Sequence, residues 1–125
     1  HVMVVGHYGC GGVQAVIDGA RLGLADNWLR HVQDVSEKYS HYLNNIAEPK
    51  HRHDRLCELN VIEQVINLGK TTVVRDAWER GQRLTVHGWV YGLADGLLRD
   101  LDINIDSTAS LEKRYLAVHE QFQFA

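Results

Sequence analysis

Residues 1–13 read HVMVVGHYGCGGV and contain three successive local patterns. The apolar run from Val2 to Val5 is typical of a strand in a parallel sheet that is covered on both faces. Four glycines between residues 6 and 12 predict a tight turn. The apolar residues that begin at Val13 predict a short helix ending near Gly19. A strand, a glycine-rich turn and a helix N-terminus in this order often carry chemistry in α/β proteins.

The rest of the chain predicts four more helices and two more strands. The Asp95–Gly96 pair is a turn signal, so these two strands are expected to run antiparallel. This order predicts the α/β class, with part of a mostly parallel sheet flanked by helices and an antiparallel edge strand. The predicted elements are a long helix from Asn27 to Ile46, a helix from Asp54 to Leu68 closed by Gly69, a short helix from Thr71 or Thr72 to Trp78, strands at Leu84–Tyr91 and Leu97–Ile103, and a final helix capped by Ser107 or Ser110.

The helix predicted from Asp54 to Leu68 carries apolar residues on more than one stripe. We therefore expect protein to cover it on more than one side, in part the final helix or another subunit. The polar stretch from Glu48 to His53 predicts a charged loop instead. His51 and His53 are accordingly interpreted as solvated side chains rather than as a metal-binding pair.

The composition is that of one soluble globular domain. The chain has 125 residues, of which 45% are hydrophobic and 23% are charged. A net charge of −3 and a pI near 6.2 argue against a nucleic-acid-binding module. No apolar run reaches the roughly 18 residues of a transmembrane helix. The two cysteines are too few for a disulfide scaffold, which predicts a cytoplasmic location.

The start of the chain predicts a missing segment. The sequence opens with His1 rather than Met, and its first residues already have the pattern of a strand. Two or three strands also make a poor sheet on their own. We therefore expect residues 1–125 to be a single domain that forms the C-terminal part of a larger one.

His7 and Cys10 form the strongest candidate site. A His and a Cys at this spacing, across a turn from a strand to a helix, could bind one ion, and thiolate with imidazole favours zinc. The alternative is a small buried Cys beside a His that caps a helix. A zinc site needs three or four protein ligands, and this motif supplies two.

Seven segments, in order along the chain, resemble the β-class carbonic anhydrases, most closely the bacterial branch. Together they cover almost the whole chain apart from residues 44–54 and the last turn. The segments are residues 1–13, LGLADNWL at 22–29, CELNVIEQV at 57–65, NLGKT at 67–71, AWERGQ at 77–82, VHGWVY at 86–91 and DGLL at 95–98.

The resemblance implies a zinc enzyme, a lyase that interconverts CO2 and bicarbonate by attack of zinc-bound hydroxide. It implies that His7 and Cys10 are two of the zinc ligands and that the Gly11 N–H donates a hydrogen bond to the substrate. It also implies a third ligand, a Cys in an upstream Cys-x-Asp-x-Arg segment whose Asp and Arg gate the fourth zinc position. These 125 residues contain no such segment. We therefore expect the parent protein to be active and residues 1–125 alone to be inactive.

Tyr91 corresponds to a residue that joins an upstream Trp and Arg in a second, inhibitory bicarbonate site of some bacterial relatives. The alternative is an aromatic residue at a strand end in a subunit interface. The family assembles as homodimers or homotetramers, and a companion chain could also carry the missing half. Cys57, on an apolar helix, is interpreted as a buried structural residue rather than a ligand. The alternative function is a non-catalytic fragment or binding module that keeps the fold without a complete zinc site.

Overall fold

The computed structural model describes residues 1–123, which form three strands and six helices. The predicted α/β class is confirmed. The elements in chain order are β1 (Val2–His7), α1 (Gly11–Asp18), α2 (Ala25–Lys38), α3 (Ser40–Asn44), α4 (Pro49–Gly69), α5 (Thr72–Glu79), β2 (Val86–Tyr91), β3 (Leu98–Ile105) and α6 (Thr108–Gln123).

The sheet has the order β1-β2-β3. β1 and β2 run parallel, with His7 opposite Tyr91, whereas β3 is the antiparallel edge strand that the sequence predicts. The carboxyl ends of β1 and β2 therefore lie at the same edge of the sheet. The glycine-rich turn that follows His7 is placed at this edge, as in other α/β proteins with a site there.

Among residues 1–123, β1 is covered on one face only, whereas the sequence pattern predicts cover on both. Met3 and Val5 are 51% and 50% exposed. Successive side chains of a strand point to opposite faces, and Val4 packs against the core on the side of α4. The apolar run in β1 thus has one buried face and one face that the described residues leave largely open.

α4 is the central element of the core. Its apolar residues pack against the sheet and against α6, which confirms that it is covered on more than one side. Leu111 of α6 belongs to the same core cluster as Val65, and Phe122 packs against the cluster that contains Leu59. Nine residues of α4 are buried: Leu56, Cys57, Leu59, Val61, Ile62, Glu63, Val65, Ile66 and Gly69.

Two strand glycines let α4 approach the sheet closely. A Cβ at Gly6 would lie 2.6 Å from Val61 Cγ2. A Cβ at Gly88 would lie 2.7 Å from Ile103 Cγ2 and 3.0 Å from Val65 Cγ2. These distances are too short for a side chain, so both positions require glycine unless the neighbouring groups move.

Three short signals are confirmed. Gly19 ends α1 with a left-handed φ of 65°. The Thr71 side chain accepts a hydrogen bond from the Val74 N–H at the start of α5. The Ser107 hydroxyl accepts one from the Ser110 N–H at the start of α6, 3.1 Å away.

The long predicted helix is two helices in the structure. Asn27 lies inside α2 rather than at its cap, and the helical stretch breaks at Tyr39. Tyr39 is 1% exposed, and its hydroxyl donates a hydrogen bond to the buried carboxylate of Glu63 on α4. This hydrogen bond, between residues 24 positions apart, occurs where the chain changes direction between α2 and α3.

The ends of α4 also differ from the prediction. The helix begins at Pro49, because proline is favoured at the first helical position, so residues 49–53 are helix rather than loop. Gly69 is still helical, and Lys70 follows it as the cap. A Cβ at Gly69 would lie 3.1 Å from Leu111 Cδ1, so this glycine provides room for α6.

No helix in residues 1–123 combines the length and apolarity needed to cross a membrane.

We predict that Gly88→Ala lowers the free energy of unfolding by ~1–3 kcal/mol, because the new methyl group must displace Ile103 or Val65. Urea denaturation measures this change. Gly11→Ala is the matched control, since a Cβ there meets no atom within 4 Å. The control should stabilise the fold by up to ~1 kcal/mol. Equal effects of the two substitutions would contradict the close packing at Gly88.

Candidate functional site

His7 ends β1 with its side chain exposed. Its Nδ1 lies 2.9 Å from the carbonyl oxygen of Tyr8. A carbonyl oxygen can only accept a hydrogen bond, so Nδ1 carries the proton and donates it. In the neutral ring the lone pair is then on Nε2, which remains able to bind a metal. A backbone carbonyl that fixes the second ring nitrogen is the usual support of a metal-binding His.

Cys10 is the N-cap residue of α1, with φ −69° and ψ 121°. Its thiol makes no capping hydrogen bond and is half-buried. The N-terminus of a helix favours a negative charge, such as that of a thiolate ligand. The structure thus brings an imidazole and a thiol to one short turn at the carboxyl edge of the parallel strands.

Gly11 and Tyr91 lie at the same edge. Gly11 is the first residue of α1, so its N–H has no acceptor within the helix. The space where its Cβ would lie is free of other atoms within 4 Å. Tyr91 ends β2, is 36% exposed, and accepts a hydrogen bond at its carbonyl oxygen from the Tyr8 N–H, 3.0 Å away.

Side chains of α4 hold the turn that follows β1. The Tyr8 hydroxyl donates to Glu58 Oε1 at 2.7 Å, and Arg55 donates to Glu58 Oε2 at 2.6 Å. Burial, followed by the hydrogen bond to Glu58, raises the pKa of Tyr8 well above its usual value. The Arg99 guanidinium lies 5.5 Å from the centre of the Tyr8 ring. Tyr8 is therefore a neutral donor held between α4 and β3.

His53 is placed differently from its predicted position in a solvated loop. It lies on α4, is half-buried, and its Nε2 is 3.0 Å from the carbonyl oxygen of Cys10. His51 is exposed, as predicted, although it also lies on the helix. Pro49 was the sequence signal that could have placed both on a helix. A cleft of about 530 Å³ lies beside them, between Tyr8, the start of α4 and the connection from β2 to β3.

Cys57 is 3% exposed on α4, so its predicted burial is confirmed. Burial raises the pKa of its thiol to about 11, and a backbone hydrogen bond with Cys10 partly opposes the shift. That Cys57 does not bind metal stays a prediction.

The donors present fit part of a zinc site. Among the residues that the structure describes, no group of three or more His, Cys, Asp or Glu side chains could hold a metal ion. His7 and Cys10 have the donor types that zinc prefers, but a catalytic zinc takes three protein ligands and one exchangeable position. The described residues thus supply two ligands and lack a third.

Comparison with known proteins gives a consistent result. A family model described as carbonic anhydrase matches residues 1–98. A carbonic anhydrase of Emericella nidulans is 43% identical over 116 residues, which are 92% of this chain and 51% of that protein. One of Pseudomonas aeruginosa is 35% identical over 104 residues, 81% of this chain and 46% of that protein. The chain spans about half the length of the curated relatives it matches.

Solved structures agree with the sequence matches. The β-carbonic anhydrase of Coccomyxa, in complex with acetazolamide, superposes with a TM-score of 0.80 and 31% identity, covering 95% of this chain and 58% of that one. One of two tetrameric β-carbonic anhydrases from Sordaria macrospora gives a TM-score of 0.76 and 30% identity, covering 84% and 53%. Because matches come from organisms as different as Emericella and Pseudomonas, the bacterial branch stays a prediction.

We predict that iodoacetamide modifies Cys10 at least ~10-fold faster than Cys57 in the metal-free native protein at pH 8. The raised pKa keeps Cys57 in its unreactive thiol form, and burial blocks access to it. Mass spectrometry of the two cysteine peptides measures both rates. In denaturing urea the rates should become similar, and similar rates in the native protein would show that Cys57 is accessible.

Proposed function

Since this chain belongs to the β-class carbonic anhydrases, we propose that it forms the part of a zinc enzyme that contributes the ligands His7 and Cys10. The proposed reaction is the reversible hydration of CO2 to bicarbonate and a proton. The observation that supports it best is the His7 Nδ1–H donated to the Tyr8 carbonyl, which leaves Nε2 available on the same short turn as Cys10. Two donors on one short turn are a suitable start for a catalytic zinc site.

Zinc, when bound, would lower the pKa of water to about 7 and so supply hydroxide near neutral pH. The chain's own residues position the reactants. His7 presents Nε2 because its Nδ1–H is fixed by Tyr8. The Gly11 N–H, at the open start of α1, donates to an oxygen of the substrate. The same helix N-terminus favours bicarbonate, which is an anion.

We place the third ligand on a strand beside β1, in the Cys-x-Asp-x-Arg segment that the resemblance implies. β1 pairs with β2 on one side only among residues 1–123, so its other edge has free N–H and C=O groups. The exposed Met3 and Val5 on the open face of β1 favour further protein packed there.

The proposed partners follow from the same arrangement. The chain would assemble as a homodimer or homotetramer, as the related Sordaria macrospora enzymes are described as tetrameric, or it would pair with a companion chain that carries the missing N-terminal half. Tyr91 is the chain's proposed contribution to a second bicarbonate site, supported by its partly exposed position opposite His7. The two free cysteines suit a reducing cytoplasm.

We predict that the double variant His7→Ala, Cys10→Ala of the complete polypeptide encoded by the gene loses its bound zinc. CO2 hydration should then fall by at least ~100-fold, because loss of a residue that binds the metal directly costs at least as much activity as loss of a group that orients it. Elemental analysis measures the zinc, and stopped-flow assays measure the rate. His41→Ala, an exposed histidine on α3, is the control and should change neither. Unchanged zinc in the double variant would overturn the ligand assignment.

We also predict that residues 1–125 alone bind zinc weakly and do not hydrate CO2 at an enzymatic rate. Two ligands leave half of the tetrahedron to water and fix no single open position. The test compares this fragment with a version extended upstream, both supplied with zinc, in the stopped-flow assay. Equal rates would exclude the proposed third ligand. An extended protein that is inactive despite bound zinc would instead favour a non-catalytic binding module.

A further inference from the structure

The carbonyl group of Cys10 accepts two hydrogen bonds from different helices. One comes from the N–H of Gln14 in α1, 3.0 Å away, and is the first bond of that helix. The other comes from His53 on α4, whose Nε2 is also 3.0 Å away. Because the acceptor is a carbonyl oxygen, the proton is on Nε2 of His53. The Cys10 peptide is thus fixed from outside its own turn.

Two more residues of α4 hold the same turn. Cys57 lies one helical turn after His53, on the same face, and its thiol faces the backbone of Cys10. Glu58 accepts the hydrogen bond of the Tyr8 hydroxyl at 2.7 Å. Among the side chains that the structure describes, however, that of His53 is the one that hydrogen-bonds to the carbonyl oxygen of Cys10.

The turn needs this support because its own sequence is flexible. Gly9 precedes Cys10 with a left-handed φ of 69°, and Gly11 and Gly12 follow it. Glycine can adopt a wider range of backbone dihedral angles than any other residue. The thiol of Cys10 makes no capping hydrogen bond that could fix it locally. Its direction therefore depends on contacts to its peptide groups.

We propose that His53 is a positioning residue, which fixes the Cys10 peptide through its Nε2–H and thereby directs the thiol toward the metal. This inference rests on the proposed function, because it assumes that Cys10 is a zinc ligand. His53 does not contact the metal or the substrate in this role. Hydrogen-bonding groups that orient a ligand typically change metal affinity ~10–100-fold, which sets the expected effect.

Two substitutions separate the hydrogen bond from the rest of the side chain. His53→Gln keeps an N–H donor at about the position of Nε2. His53→Asn has a shorter side chain, whose N–H donor lies at about the position of Nδ1. From there it cannot reach the carbonyl oxygen of Cys10. His51→Asn is the matched control, since His51 lies on the same helix and is exposed. Circular dichroism first establishes that each variant is folded.

The experiment measures zinc affinity of the complete polypeptide by competition with a chelator at fixed pH. We expect ~10–100-fold weaker binding for His53→Asn, and binding within ~3-fold of wild type for His53→Gln and His51→Asn. The cobalt-substituted protein gives a second readout, because its thiolate-to-cobalt charge-transfer band reports the geometry at Cys10. That band should change in His53→Asn and be restored in His53→Gln.

Wild-type affinity and an unchanged cobalt band in His53→Asn would overturn the positioning role while leaving the proposed function intact. Equal weakening by His53→Asn and His53→Gln would also overturn it, since ring packing rather than the N–H would then matter. A wild-type protein that binds zinc no better than the His7→Ala, Cys10→Ala variant would overturn the proposed function and the positioning role together.

Discussion

The close approach of α4 to the sheet is the constraint on which the structure depends. It is possible because β1 and β2 each carry a glycine where the helix crosses them, Gly6 next to Val61 and Gly88 next to Val65. A Cβ at either position would lie 2.6 Å or 3.0 Å from a valine side chain of α4, so the helix would have to move outward by roughly 1 Å to restore ordinary contact distances. The contacts that α4 makes with the turn after β1 would then be lost, because hydrogen bonds weaken steeply with distance.

This packing gives the sheet two different faces. On the face of α4 the side chains are buried in the core, whereas Met3, Val5 and His7 of β1 are exposed. Cys10 lies where the two regions meet, with its backbone bound to α4 and its thiol half-buried. The edge with the proposed metal site thus contacts α4 on one side and is open on the other, as expected where further protein completes a site.

Local signals predicted the strand, turn and helix of residues 1–19, the antiparallel pair and the caps at Thr71 and Ser107, because each depends on neighbouring residues. The break at Tyr39 could not be predicted in this way, since Tyr39 is bound to Glu63, which is 24 positions away. Pro49 was a local signal for His53's place on α4, but its hydrogen bond to Cys10, 43 positions away, could not be predicted from neighbouring residues. The candidate ligands His7 and Cys10 were recognisable because they lie three positions apart on one strand-to-helix turn.

The glycines of the turn leave open space near Cys10 but also make the chain flexible, and contacts with α4 offset this flexibility. Gly9 allows the left-handed conformation that the turn requires, and Gly11 leaves open space at the start of α1. The same residues leave the chain around Cys10 with little intrinsic stiffness. Hydrogen bonds from His53 and Tyr8 to neighbouring groups offset that flexibility without filling the open space. A metal site built on such a turn can therefore be both accessible and ordered, provided that the helix beneath it is in place.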